Sequence, residues 1–275
     1  MHSSRQNKMI NTNKQLIHKK SRPSHFLSIP IVSPSIKQAY STLLNTPLFS
    51  SLDPQTLIQQ DNLHITLGVM SLNTTDEISQ ATALLHDKCL PLIQSYQTSS
   101  APLTIDLHQL DVMQCNPKSA HVLYVQVKDN SHNNSLYQLC NDINQIMVDN
   151  GLMEKDNRPL KLHVTLINTI YGKKRSNEMA NSSNQREVSN ESINTMDSNN
   201  NKEKDNHGKD NNKKRHFISK RSKQKKRISF DATSILDTYG DIHLGSFTLD
   251  KLHLMKMGRT GPSNTYETIS FIPFL

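Results

Sequence analysis

Two short stretches of the chain, "NLHITLGVM" at residues 62–70 and "LKLHVTLINT" at residues 160–169, contain the same pattern. Each reads Leu-His-(Ile or Val)-Thr-Leu, with the histidines at His64 and His163. Side chains two residues apart in a strand point to the same face of a sheet. Each stretch therefore predicts a strand with a histidine and a threonine on one face and three aliphatic side chains on the other.

These two histidine–threonine pairs, which we call the His–Thr quartet, have the chemistry of a site that cleaves phosphodiesters. Near neutral pH one imidazole can accept a proton while the other donates one. Threonine hydroxyls can hydrogen-bond phosphate oxygens as negative charge develops there. We therefore predict that His64 and His163 are catalytic and that Thr66 and Thr165 bind phosphate, without a metal or a cofactor. The sequence leaves open which histidine is the base.

The chain around the two motifs alternates between strand patterns and helix patterns. Alternating or short apolar runs predict strands, and apolar residues at helical spacing predict helices. The predicted strands lie at residues 25–31, 63–70, 103–107, 121–127 and 162–167, and in the tail from residue 247. The predicted helices lie at residues 36–44, within 74–93, at 135–149 and at 231–239. This order predicts a mixed α/β or α+β fold.

Charge is distributed unevenly along the chain. Residues 1–22 contain 6 Lys and Arg and no acids, and residues 173–227 contain 16 Lys and Arg against 7 Asp and Glu. The remainder contains 10 basic and 17 acidic residues. Because both basic segments are poor in large apolar side chains, we predict that they are disordered. The expected organisation is a disordered terminus at 1–22 and one domain at 23–275, interrupted by a disordered insert at 173–227.

The insert ends in a dense basic cluster, "KKRHFISKRSKQKKR", at Lys213–Arg227. Such a cluster is typical of a nuclear localisation signal or of a segment that contacts RNA phosphates, although a solvated tail has the same composition. The acidic body would repel long polyanions, so a short RNA end or a small nucleotide is the favoured ligand. We expect the protein in the nucleus, with a cytoplasmic pool also compatible with the sequence.

Other features of the sequence exclude several classes of protein. No run of 18 or more apolar residues exists, so no membrane-spanning helix is predicted. The three cysteines, Cys89, Cys115 and Cys140, form no CxxC pair, which favours a reducing compartment. The quartet histidines have no acidic or cysteine partner at the spacing of zinc ligands. None of the cysteines lies in an electropositive motif that would make it a nucleophile.

The two motifs, with "HFLSIPI" at residues 25–31 and the tail "LDKLHLMKMGRTGPSNTYETISFIPF", resemble the 2H phosphoesterase superfamily. The similarity is strongest to the branch with the phosphoesterase domains of A-kinase anchor protein 7 and activating signal cointegrator complex subunit 1. The resemblance implies an α+β, two-lobed, duplicated LigT-like fold, with two antiparallel sheets facing across a central groove and helices outside. It also implies metal-independent action on 2′,3′-cyclic phosphates, 2′–5′ linkages or RNA 3′ ends.

Two hypotheses for the function follow. The first is a phosphodiesterase that acts as a monomer on RNA 3′ ends or small nucleotides, away from membranes. The second is a catalytically silent RNA- or nucleotide-binding subunit of a nuclear transcription or repair complex. Histidine at both motif positions favours the enzyme, because a binding subunit would not need two groups that transfer protons. A third hypothesis, protein anchoring, lacks a candidate docking helix outside the folded body.

A few further residues have side chains of types that occur in such sites. His253, in "KLHLMKM", is followed by Met255 where the motif has threonine, so we interpret it as structural. Phe26, Tyr124 and Tyr171 could stack on a nucleobase, although a place in the core or in a groove wall is the favoured interpretation.

Overall fold

The computed structural model describes residues 22–96, 102–130, 135–172, 227–258 and 264–274. These residues contain eight strands and six α-helices. The strands are β1 (His25–Pro30), β2 (His64–Met70), β3 (Thr104–Val112), β4 (Val122–Asp129), β5 (His163–Asn168), β6 (His243–Thr248), β7 (Lys251–Lys256) and β8 (Glu267–Pro273). The helices are α1 (Pro34–Leu44), α2 (Pro47–Ser50), α3 (Thr75–Leu84), α4 (Leu90–Tyr96), α5 (Ser135–Asp149) and α6 (Thr233–Tyr239), with a π-helical turn, Leu85–Cys89, joining α3 to α4.

Local sequence signals set the ends of the main helices. The Ser33 side chain accepts a hydrogen bond from the backbone N–H of Ile36 and caps α1. Thr74 and Glu77 form a reciprocal capping box at the start of α3. Gly151 has φ +73° two residues after α5 ends, a conformation that glycine adopts without steric cost. The predicted helices are therefore confirmed, and the strand patterns are confirmed as well.

All eight strands form one antiparallel sheet in the order β6-β3-β4-β5-β2-β1-β7-β8. It consists of two four-stranded halves, β6-β3-β4-β5 and β2-β1-β7-β8, whose inner strands are β5 and β2. One registered residue pair, Ile65 with Val164, joins these two strands. The α+β class is confirmed, but the expectation of two separate sheets is wrong, because backbone pairing at this point makes the halves continuous.

The duplication of the two halves extends to their irregularities. In one half, β1 pairs Ser28 with Thr66, and the register shifts at the next step along the strands. In the other half, β4 pairs Tyr124 with Thr165, and the register shifts at the equivalent step. Each shift skips the leucine that ends the repeated pattern, so a β-bulge directly follows each motif threonine. Bulges bend a strand and re-aim its side chains, and here both motif strands are bent alike.

The core lies between the helices and one face of the sheet, which we call the back face. Ile65 and Val164 point to this face and are fully buried. Tyr40 of α1 is also fully buried, and its hydroxyl donates to the carbonyl oxygens of Ile58 and Leu166. This burial fixes the motif strands from behind. None of the helices in the described ranges is long and apolar enough to cross a membrane.

The basic terminus at 1–22 and the insert at 173–227 fall outside the described residues, except for Arg22 and Arg227. Arg227 is partly buried, and its guanidinium donates to the side chains of Thr169 and Asn168 and to the carbonyl oxygen of His121. Arg227, which composition assigned to the insert, is therefore packed against the described body.

Candidate active site

The His–Thr quartet lies on the front face of the sheet, opposite the core. Ile65 and Val164 pair across β2 and β5 and point backwards, so their sequence neighbours point forwards. Residues on either side of a matched antiparallel pair also face each other. His64 therefore lies towards Thr165, and Thr66 lies towards His163. The register brings all four quartet residues around one cross-strand pair.

Both histidines are held in the same way by the backbone. His64 Nδ1 lies 2.7 Å from the carbonyl oxygen of Asn62, and His163 Nδ1 lies 2.7 Å from that of Lys161. In each case the acceptor is two residues upstream. A carbonyl oxygen can only accept, so Nδ1 carries the proton and the lone pair of the neutral ring is on Nε2. The Nε2 atoms are therefore the ones that can accept a proton from a substrate.

A cavity of about 300 Å³ opens beside the quartet. Three quartet residues, His64, Thr66 and Thr165, line it, whereas His163 is not among its lining residues. The other lining residues are Phe26, Ile58, Asn62, Val69, Asn168, Tyr171, Met257, Gly258 and Tyr266. None of these described residues is Lys, Arg, Asp or Glu, so the described part of the cavity wall is uncharged apart from any proton on His64. Its volume is at the lower end of the range of small-molecule sites.

Aromatic rings surround His64. The rings of Phe26 and Tyr266 lie 5.3 Å and 5.5 Å from the His64 ring and 5.1 Å from each other. The Tyr266 hydroxyl is 3.2 Å from that of Tyr171, which is on the segment after β5. Asn62 donates to the carbonyl oxygen of Asn264, which fixes the loop before β2 next to the loop before β8. These contacts form an aromatic wall that suits a nucleobase.

His163 has a different environment from His64. Its ring packs edge-to-face on Tyr124 at 5.2 Å, and the Tyr124 hydroxyl donates to a carboxylate oxygen of Asp111. The Lys161 ammonium lies 4.5 Å from the centre of the Tyr124 ring and 3.7 Å from the Asp111 carboxylate. Burial lowers the pKa of His163, the hydrogen bond to the Lys161 carbonyl raises it, and the Lys161 charge lowers it. The net shift favours the neutral ring.

The end of β5 adds polar groups that the sequence did not single out. Asn168 lines the cavity, and its Oδ1 accepts from the Arg227 guanidinium and from the backbone N–H of Ile170. Burial lowers the pKa of Arg227, while the nearby Tyr171 hydroxyl acts in the opposite direction. Arg227 therefore places a cation next to two residues of the cavity wall.

These contacts show where the three aromatic candidates lie relative to the cavity. Phe26 and Tyr171 line the cavity, whereas Tyr124 supports His163. His253 is outside the cavity lining, stacked on Phe271 with ring centres 5.6 Å apart. Tyr266, Asn168 and Arg227 were missed, because they follow no motif and are close to the quartet only after folding. No group of three or more His, Cys, Asp or Glu in the described part of the chain is arranged to hold a metal ion.

Comparison with known proteins agrees with this architecture. A family model described as "AKAP7 2′5′ RNA ligase-like domain" matches residues 23–274. The mouse (Mus musculus) activating signal cointegrator 1 complex subunit 1 is 24% identical over 212 residues, which are 77% of this chain and 50% of that protein. The human (Homo sapiens) A-kinase anchor protein 7 isoform gamma is 26% identical over 170 residues, 60% of this chain and 47% of that protein.

A solved structure supports the fold independently. The crystal structure of the protein TT0787 of Thermus thermophilus matches with a TM-score of 0.50 and 11% identity, over 91% of this chain and 97% of that one. The chain spans about half the length of the curated relatives it matches. Since the family model covers nearly the whole chain, the resemblance to the 2H phosphoesterases is confirmed. This chain belongs to the family of AKAP7 2′5′ RNA ligase-like domains.

Proposed function

We propose that the chain is a phosphodiesterase that acts on RNA 3′ ends or small nucleotides through the His–Thr quartet. The observation that carries this proposal is the placement of two histidines and two threonines around the single pair of Ile65 and Val164. One phosphate bound there would have an imidazole on each side and a hydroxyl beside each imidazole. This arrangement suits a displacement at phosphorus, in which a proton is removed from one oxygen and added to another.

For a 2′,3′-cyclic phosphate, the proposed reaction is hydrolysis. One neutral imidazole takes a proton from water as the water oxygen bonds to phosphorus. The bond from phosphorus to one ribose oxygen breaks, and the other histidine, as imidazolium, protonates that oxygen. Thr66 and Thr165 donate hydrogen bonds to the non-bridging oxygens, where charge accumulates. We assign the base to His163, whose environment favours the neutral ring, and the acid to His64.

The cavity supports a nucleotide as the substrate. Phe26, Tyr266 and Tyr171 offer aromatic surface beside His64, and stacking on such rings tolerates any base. A cavity of about 300 Å³ whose described lining residues include no Lys or Arg suits one nucleotide unit better than a long polyanion. The proposed substrate is therefore a terminal nucleotide, either free or at the end of an RNA strand.

The test is turnover of a nucleoside 2′,3′-cyclic phosphate and of short 2′–5′- and 3′–5′-linked RNA, with a chelator present throughout. We expect a 2′- or 3′-phosphate product at a rate that the chelator leaves unchanged. Activity that disappears with the chelator would contradict the metal-free scheme. Binding of nucleotide without any product would instead favour a catalytically silent subunit, and the cointegrator relative is itself named as a subunit of a complex.

The assignment of His163 as the base predicts how activity depends on pH. A base must be unprotonated, so kcat/KM should rise with pH through the pKa of His163, below the usual value of 6.5. Changing Lys161 to Gln removes a charge that lowers this pKa, so the midpoint of the rise should move to higher pH. The measurement is a kcat/KM profile for each protein on the cyclic phosphate.

The chain offers a matched control for this shift. Lys251 is also two residues before a histidine, His253, and its charge also lowers the pKa of that ring. Because His253 is outside the cavity lining, changing Lys251 to Gln should leave the profile where it is. A profile that moves equally in both variants, or moves in neither, would remove the assignment of His163 as the base.

We further propose that the basic cluster directs the protein to the nucleus. The structure refines the deletion that tests this proposal, because Arg227 is packed against the body. Removing residues 213–226 and keeping Arg227 should move a fluorescently tagged protein from nucleus to cytoplasm. An unchanged distribution would show that another segment carries the signal.

A further inference from the structure

Arg227 is a cation that contacts the cavity lining from behind, through its hydrogen bond to Asn168. Its Nε donates to Thr169 Oγ1 at 2.9 Å, and its Nη2 donates to the His121 carbonyl oxygen at 3.2 Å and to Asn168 Oδ1. A guanidinium has five N–H donors, and these bonds leave Nη1 without an acceptor among the described residues. Arg227 therefore keeps donor capacity towards a ligand while being held in place by the protein.

The charge of Arg227 is not neutralised by the part of the chain that the structure describes. No Asp or Glu in the described ranges forms an ion pair with it, although the guanidinium is partly buried. The cation near His163 differs, since Lys161 is paired with Asp111 at 3.7 Å. An unpaired, partly desolvated cation attracts an anion more strongly than a paired one. The region around Arg227 should therefore attract an anion more strongly than the region around Lys161.

Asn168 is fixed so that it offers a donor. Its Oδ1 already accepts from Arg227 and from the backbone N–H of Ile170, so the amide N–H groups are what it can present to a ligand in the cavity. In the other half of the sheet, Val69 occupies the equivalent position, since Val69 pairs with β1 as Asn168 pairs with β4. The duplicated sheet is therefore polar at one end of the cavity and apolar at the other.

We propose that Arg227 and Asn168 form a subsite for a second phosphate of the substrate, distinct from the phosphate that reacts at the quartet. This proposal rests on the proposed function, in which the reacting phosphate lies at the quartet. It adds that the substrate carries a second phosphate. The preferred substrates would be nucleotides or short oligonucleotides with at least two phosphates. The reacting phosphate would lie at the quartet, the base on the Phe26 and Tyr266 side, and the second phosphate at the end of β5.

The test compares adenosine 2′,3′-cyclic phosphate with its 5′-phosphorylated form. We expect the wild-type protein to favour the 5′-phosphorylated form in kcat/KM by about tenfold or more, the effect of a charged hydrogen bond. Changing Arg227 to Gln should bring this ratio close to one, and Arg227→Lys should retain part of it. Arg158→Gln, which removes an exposed arginine paired with Asp156, is the charge-matched control and should keep the wild-type ratio.

A second variant separates binding from a purely structural role of Arg227. Asn168→Asp supplies a carboxylate that accepts from the guanidinium and so preserves the contact between β5 and Arg227, but it cancels the positive charge. If the subsite binds phosphate, this variant should fold normally and also lose the preference. If the arginine only clamps the strand, the preference should persist in Asn168→Asp, and that result would overturn the proposal, as would a wild-type ratio of one.

A binding measurement distinguishes failure of the subsite from failure of the proposed function. Dissociation constants for adenosine 2′-monophosphate and adenosine 2′,5′-bisphosphate can be measured by calorimetry without any turnover. A preference for the bisphosphate that Arg227→Gln removes, in a protein that cleaves nothing, would support the subsite while rejecting the enzyme. Turnover with equal affinity for the two nucleotides would support the enzyme while rejecting the subsite.

Discussion

Replacing either histidine of the quartet with alanine is expected to lower kcat on a 2′,3′-cyclic phosphate by a factor of about 10²–10⁴, the usual contribution of general acid–base catalysis. His163→Ala removes the group that accepts the proton of the attacking water, and His64→Ala removes the group that protonates the departing oxygen. Because both groups act in one displacement, the double variant should be little worse than either single variant. The measurement is steady-state turnover at the pH optimum of the wild-type protein.

These variants should remain folded, because neither ring is part of the core. The neighbouring side chains of Ile65 and Val164 point to the back face and are fully buried in the core. Both histidine rings lie on the front face and are only partly buried. The matched control is His253→Ala, which removes a front-face histidine from β7 that stacks on Phe271 outside the cavity lining. It should keep wild-type turnover. A quartet variant that keeps wild-type turnover would show that the reaction occurs elsewhere.

The motif strands could be predicted because strand alternation is a local property. Leu-His-Ile-Thr-Leu contains both the buried and the exposed faces within five residues, so the orientation of His64 and Thr66 follows from the period alone. Helical spacing of apolar residues is also a local property, and it predicted α5 with the observed bounds, Ser135–Asp149. The resemblance to the 2H phosphoesterases implied that the two strands are related by duplication, and the equivalent bulges agree with this.

The other residues of the site are brought together by contacts between distant parts of the chain, and local sequence patterns do not indicate such contacts. Tyr266 is about two hundred positions from His64 in the sequence, yet its ring is 5.5 Å from the imidazole. The two halves form one sheet through a single backbone pair between strands ninety-nine residues apart. Because nearly all residues present the same backbone groups, the sequence does not indicate that this pair forms. Composition placed Arg227 in the insert, because charge and apolar content cannot detect that one arginine at its edge is hydrogen-bonded to Thr169.

Replacing Thr66 or Thr165 with valine is expected to lower kcat by about 10²–10³ each, the cost of removing one donor that stabilises a developing oxyanion. Valine has nearly the shape of threonine and the same preference for strands, so the change removes the hydroxyl and little else. Since the hydroxyls act mainly as charge builds on the phosphate, kcat should fall more than KM rises. Serine at the same positions restores a donor and should recover much of the loss.

The control for the threonines is Thr268→Val on β8, because Thr268 also lies beside a front-face histidine, with its Oγ1 3.3 Å from His253 Nδ1. It lies outside the cavity lining, so its loss should leave kcat unchanged. Equal losses in all three valine variants would mean that the substitution disturbs the sheet in general. Losses confined to Thr66 and Thr165, and recovered by serine, would locate the developing charge between β2 and β5, because these two hydroxyls flank the pair that joins the two strands.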